Sequence, residues 1–392
     1  MTLFDDIARV EARPRRQNEG GFDYMNGSAR PGIHAIRVLL EQWFEQLPGE
    51  SQADIRGRFR SRGCAQHESA FFEMYWHELL RCCGFAVDVH PAVPNAATNP
   101  DLVALDNGQR QFYLEATLAM PPGDPAADRR FAELHDTLDR MNSPDYFVEI
   151  EYRGDPQGNI RGRVIRERLE RWLGDMDHDE ISRLYARGDY GAVPKLSLTE
   201  QECLLTFTPI PKGPELRGQP GPRPVGIVLP AEMRIVRTHD DIQAAIEGKA
   251  AKYGELDRPL IVVLNVMDDF CDDQDIWNAL FGEEQVVAIR QPDGRFRDEW
   301  GQRVPNGAWY GRAGARNQLV SAVSIVHQLS ASTLRTRAVT IVHNPWARNP
   351  LPVGAMPIPQ LTISIPDGRI ERRDGRTHAD VLGIPDPWPV QD

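Results

Sequence analysis

Two spacings of apolar residues organise the chain. From Gln66 to Arg81 they recur at helical intervals, with Phe71, Phe72, Tyr75, Leu79 and Cys82 on one face and Gly84 placed to cap the helix. Glu68 falls on that same face, where a carboxylate is costly unless it is paired or holds a cation. Strand-like stretches follow at Phe85–His90, Leu102–Leu105 and Gln111–Leu118, and Asp106-Asn107-Gly108 predicts a tight hairpin between the last two. Upstream, one amphipathic helix at Ile33–Gln46 sits on an otherwise loose arm.

After Gly123 the pattern changes. Phe131, Leu134, Leu138 and Met141 predict a helix over 128–141. A strand at Tyr146–Tyr152, helices at Arg161–Leu173 and Asp179–Arg187, and a strand at Leu204–Phe207 come next, before a stretch dense in Pro and Gly at 209–224. A helix at Asp240–Tyr253 leads into Leu260–Leu264, an unbroken apolar run that reads as a strand buried on both faces. The last stretch is Pro-rich, with a hairpin expected at Pro366-Asp367-Gly368. The order of helix, three strands, helix and buried strand predicts an α/β (α+β) core in two parts, residues 64–120 and 239–290, separated by an insertion at 121–238. Residues 1–63 form an N-terminal arm with its helix, and 291–392 a β-rich, Pro-rich C-terminal extension.

Charge and composition narrow this picture. With 45 basic and 57 acidic residues, a net charge of −12 argues against a surface coated for nonspecific nucleic-acid binding while leaving room for a local basic groove. The longest apolar run, Leu260–Met267, is far short of the ~20 residues that span a bilayer, so no membrane partner is expected. Met1-Thr2-Leu3-Phe4-Asp5-Asp6 lacks the basic and apolar regions of a signal peptide, and the five cysteines show no paired spacing. Together these predict a reduced, cytoplasmic protein without structural zinc. Lys195, Lys212, Lys249 and Lys252 are the only lysines, the other basic residues being arginine. Arginine cannot always replace a compact ammonium, so positions that keep lysine are candidates for chemistry.

The candidate chemistry is carboxylate chemistry. Asp101 follows Pro100 at the start of one strand and Glu115 lies on the next, where Tyr113, Glu115 and Thr117 face one way and Phe112 and Leu114 the other. A hairpin can bring the two acids to neighbouring positions, and paired carboxylates favour a hard divalent cation between them. A helix with an inward Glu, then Pro-Asp, then Glu-x-Thr on the next strand resembles the PD-(D/E)xK nuclease superfamily over roughly 64–119 and 239–266. The resemblance implies a restriction-endonuclease-like mixed sheet flanked by helices. It also implies Mg²⁺ or Mn²⁺ held by Glu68, Asp101 and Glu115, and endonucleolytic hydrolysis of DNA in defence or repair.

The motif lysine of that superfamily maps to Thr117, which cannot supply positive charge to the reaction. Some members carry the lysine on the neighbouring helix, and Lys249 or Lys252 would take that role here, with Lys252 favoured because Lys249 shares the apolar face with Ile242 and Ile246. Arg56, Arg58, Arg60 and Arg62 surround Phe59 just ahead of Glu68. They are candidates for nucleic-acid backbone contact, with Phe59 stacking on a base, or else form a solvated arm. No phosphate-binding loop, dinucleotide fingerprint, GxSxG or HExxH occurs. A second reading is a non-catalytic binding or scaffolding protein with a decayed nuclease fold, Thr117 marking the decay, and with a protein partner or a second copy of the chain as its ligand.

Overall fold

The computed structural model describes residues 1–93, 98–120, 123–219, 223–230, 237–268, 271–291, 296–365 and 368–389; Pro121, Pro122, Pro366 and Asp367, where the sequence predicts a break and a hairpin turn, lie outside them. The chain divides into two compact units, one made of Met1–Arg13, Gly20–Pro121 and Val236–Asp392, the other of Pro14–Glu19 and Pro122–Ile235. The first unit opens with helices α1 (Gly21–Gly27), α2 (Pro31–Glu45), α3 (Gly49–Phe59) and α4 (Cys64–Cys82). Strands β1 (Ala86–Val89), β2 (Leu102–Asp106) and β3 (Gln109–Ala119) follow.

The second unit comprises α5 (Pro125–Leu138), β4 (Tyr146–Arg153), α6 (Gly162–Gly174), α7 (His178–Arg187), β5 (Leu196–Glu200), β6 (Cys203–Pro211) and β7 (Val225–Pro230). Its sheet runs in the order β5-β6-β4-β7. Val148, Ile150 and Phe207 pack on Leu134, Leu138, Ile165, Leu169 and Ile181 of the three helices, a core separate from those of the first unit.

Back in the first unit come α8 (Thr238–Ala250), β8 (Leu260–Val266), α9 (Asp273–Phe281), β9 (Glu284–Arg290), β10 (Phe296–Arg303), β11 (Tyr310–Gly311) and β12 (Gly314–Ala315). The last elements are β13 (Ala322–His327), β14 (Ile341–His343), β15 (Gln360–Ile363), β16 (Ile370–Arg373) and α10 (His378–Val381). An eight-stranded mixed sheet in the order β1-β2-β3-β8-β13-β14-β15-β16 forms the frame. The β1–β2 and β2–β3 pairs are antiparallel, whereas β8 lies parallel to both β3 and β13. The β2–β3 turn closes with Asp106 opposite Gln109, and Asn107 and Gly108 both take positive φ, 49° and 76°, as a two-residue hairpin of this twist requires.

All seven residues of β8 are buried. On one face Ile261 and Val263 join Phe112, Leu114 and Ala116 against Phe71, Phe72 and Tyr75 of α4. On the other, Val262 and Leu264 join Val103 and Tyr113 against Ile242 and Ile246 of α8. The side-chain alternation expected for β3 therefore governs which residues meet α4 and which meet α8.

Three expectations are corrected. The N-terminal segment is no loose arm: Leu3, Phe4, Phe22 and Phe59 are buried, and Phe4 stacks on Phe22 while both meet Phe59 edge-on. Residues 291–392 are not an appendage, because β13 to β16 supply half of the main sheet. The helix expected to reach Tyr253 ends at Ala250, and Lys252 N–H bonds the Lys249 carbonyl at 3.2 Å in a turn completed by Gly254 at φ 67°. The five cysteines are free thiols. No helix among the described residues is long and apolar enough to cross a membrane.

Candidate active site

The site grows out of strand register. Leu102 of β2 stands opposite Leu114 of β3, so one step further Asp101 faces Glu115 across the pair. Like charges directly opposite in a sheet repel. Glu115 also projects to the α8 side, where it is fully buried. An isolated carboxylate there would be untenable, and α8 with the turn after it answers the need. Glu115 Oε1 accepts from Lys249 Nζ at 2.6 Å and from Lys252 Nζ at 2.9 Å, while the Tyr253 hydroxyl donates to Oε2. Lys252 Nζ also lies 5.1 Å from the centre of the Tyr253 ring.

The two acids are driven apart in proton affinity. Burial alone would raise the Glu115 pKa, but the hydrogen bonds from Lys249 and Tyr253, with the Lys249 charge, outweigh it and hold the group below its ordinary value. Asp101 is pushed up to about 7 by burial first, then by the charges of Glu115 and Glu73, despite the Ala116 N–H that donates to its Oδ2 at 2.7 Å. Burial and the Glu115 charge raise Tyr253, keeping its hydroxyl protonated as a donor. Glu115 is thus the standing anion, and Asp101 a carboxyl that gains or loses its proton near neutrality.

A helix acid acting on Asp101 is Glu73 of α4. Glu68 is half-buried on α4, and among the described residues no three His, Cys, Asp or Glu side chains gather closely enough to hold a metal ion. The expected trio of Glu68, Asp101 and Glu115 is therefore not assembled as a ligand set. The reason lies in α4 itself, where every residue from Ala70 to Leu80 except Glu73 is buried, so the helix has no single inward face from which to choose. Glu73 is in turn held by Arg58, whose two terminal nitrogens each donate to a Glu73 oxygen at 2.7 Å.

That bond removes Arg58 from the expected nucleic-acid contact, and its neighbours fare similarly. Arg56 donates to the Thr2 carbonyl at 2.7 Å, and Arg60 pairs with Asp5 while lying over the Phe22 ring. Phe59 is fully buried and cannot stack on a base. Arg62 alone of the four keeps a largely exposed side chain, 89%, beside Asp23. These arginines fasten α3 to the rest of the unit. Tyr253 and Glu73 are the site residues that sequence reasoning missed; the signals were a tyrosine one helical turn past Lys249 and an acid interrupting an apolar run.

Lys249 and Lys252 border an open groove of about 510 Å³ between α8 and the end of β3, lined also by Thr117, Met120, Asp241, Ala244 and Gly248. Thr117 sits in it without a charge to offer. The donor set at Asp101 and Glu115 is hard oxygen, and Asp101 is held in a proton-binding state first by burial and then by the charges of Glu115 and Glu73, of which added positive charge relieves the second. Mg²⁺ is commonly bound through one or two carboxylates, waters and substrate phosphate, which two facing acids satisfy without a third. No family model matches the chain, and neither the curated proteins nor the solved structures contain a significant match to it.

Proposed function

We propose that the protein is a divalent-cation-dependent nuclease of the PD-(D/E)xK type that cleaves phosphodiester bonds of DNA. The observation that carries this reading is the facing pair Asp101 and Glu115 with two lysine ammoniums delivered to Glu115 from the crossover between β3 and β8. The element order supports it: α4, β1, β2, β3, α8 and β8 follow as helix, three strands, helix and strand over the segments that carry the resemblance. Asp101 and Glu115 would hold Mg²⁺ or Mn²⁺, which supplies a water of lowered pKa and offsets phosphate charge.

The chain's own residues then have distinct tasks. On a groove whose lining also carries the Asp241 carboxylate, the two ammoniums that share one Glu115 oxygen make a local positive patch. It draws an anionic phosphate to the mouth and stabilises charge that develops there, the task Thr117 cannot perform. Lys249 and Lys252 both reach Glu115, so the turn after α8 lets either stand in for the motif lysine.

The test is cleavage of DNA with and without Mg²⁺ or Mn²⁺, beside Asp101→Asn, which should abolish cleavage and leave the fold intact. One observation favours the second reading, a non-catalytic binding module: both oxygens of Glu115 are already engaged by three donors. A wild type that neither cleaves nor releases heat on Mg²⁺ titration would decide for that module.

A further inference from the structure

Tyr253 is 4% exposed, and its ring is fixed in the core between α8 and the sheet. Its hydroxyl lies within reach of two acceptors from different parts of the chain, Glu115 Oε2 on β3 and the Asn99 carbonyl at 3.2 Å. Asn99 is two residues before Asp101, with Pro100 between them restricting the backbone. Both partners are acceptors and a phenol has one proton, so the hydroxyl shares that proton between them in a three-centre contact. Asp101 Oδ2 in turn receives the Ala116 N–H at 2.7 Å, one residue after Glu115. A short circuit results, from Tyr253 to Asn99, through Pro100 to Asp101, across to Ala116 and back by way of Glu115 to Tyr253.

We propose that Tyr253 is a positioning residue that ties the Asn99–Asp101 segment to Glu115 and so sets the spacing of the two carboxylates. The inference rests on the nuclease reading for what that spacing serves, but the tie itself is independent of any cation. Without the hydroxyl, the segment preceding β2 keeps the Asp101 carbonyl bond to His90 N–H at 2.9 Å but loses its link to the α8 side. Asp101 is then free to leave Ala116.

Tyr253→Phe keeps the ring and removes only the hydroxyl. The direct readout is amide hydrogen exchange in the metal-free protein. Exchange at Ala116 should accelerate about tenfold, the scale set by loss of a hydrogen bond to a charged group. The amides of Val262 and Leu264 in β8 should exchange as in wild type. By calorimetry the variant should bind Mg²⁺ about tenfold more weakly, and the wild-type exchange rates in β8 separate positioning from general loosening. Unchanged exchange at Ala116 would overturn the tie while leaving the nuclease reading to its cleavage assay. Accelerated exchange at Ala116 in Tyr253→Phe, beside a wild type that binds no Mg²⁺, would uphold the tie and remove the nuclease reading.

Discussion

Two basic clusters of the first unit meet acid in different ways. Around α3 four arginines meet four acids: Arg58 has Glu73 and Asp54, Arg62 has Asp23, and Arg56 and Arg60 share Asp5. At the end of α8 two ammoniums converge on one carboxylate oxygen. Four arginines in seven residues make the stronger signal in sequence, yet three of them are taken up in holding α3 in place. Two lysines that share one acid make the weaker signal, and on the nuclease reading they keep charge for an outside anion. The ratio of cations to the acids folded beside them, not the number of cations, separates a fastening from a binding site.

The sharpest way to break this comparison is to remove the shared acid. Glu115→Ala leaves two ammoniums crowded beside Asp101 with no carboxylate between them. Removing one partner of a buried ion pair costs roughly 3–5 kcal/mol, so urea denaturation should register a loss of that size. A loss below about 1 kcal/mol would mean that the lysines simply turn to solvent. Next in size is Arg58→Ala, which strands Glu73 and should lower stability by about 1–3 kcal/mol without altering the salt dependence of DNA binding. Lys252→Ala should do the reverse, sparing stability and reducing the slope of log K against log salt by about 1. Equal salt slopes in the two variants would erase the distinction between fastening and binding cluster.

A pH dependence probes the same pair from the side of Asp101. Folded Asp101 keeps its proton up to about 7, whereas the ordinary value is 3.8. Between these values the unfolded chain has released the proton and the folded one has not, so rising pH removes stability across that window and no more above it. Asp101→Asn has no proton to lose. Its melting temperature relative to wild type should therefore climb from pH 4 to pH 7 by on the order of a few degrees and then level off. A difference that stays flat over the window would mean that Asp101 ionises like an exposed carboxylate.

Parts of this arrangement are legible in the sequence. Alternation along β3 puts Glu115 with Tyr113 and apart from Phe112 and Leu114, the Asp106-Asn107-Gly108 turn marks the hairpin, and the run from Leu260 announces the strand buried on both faces. Lysine's scarcity in an arginine-rich chain singles out Lys249 and Lys252. Other parts are set by tertiary packing, which leaves no local mark. α4 is buried nearly all round, so periodicity could not choose Glu73 over Glu68. The stop of α8 at Ala250 depends on Lys252 and Tyr253 turning toward Glu115, a partner 138 residues from Tyr253 in sequence. The N-terminal arm folds because Phe4, Phe22 and Phe59 find one another, too sparse a set to form a periodic pattern. The four C-terminal strands are short and separated by proline-rich segments, and β13 joins the sheet beside β8 rather than beside its predecessor in sequence.

The parallel seating of β8 between β3 and β13 also has a consequence in time. At ribosomal rates of ~5–20 residues per second, the 138 residues from Glu115 to Tyr253 take on the order of ten seconds to synthesise. Throughout that interval β3 exists without its parallel neighbour, and the acid destined for the interior has no ammonium to meet. The intervening unit has a core of its own that can form while the flanking sheet waits. Non-local parallel pairing is intrinsically slow, and a half-built sheet exposes an unpaired edge. An anionic Glu115 on that edge, still hydrated and repelling its like, would discourage the nascent strand from pairing with the wrong neighbour until its lysines arrive.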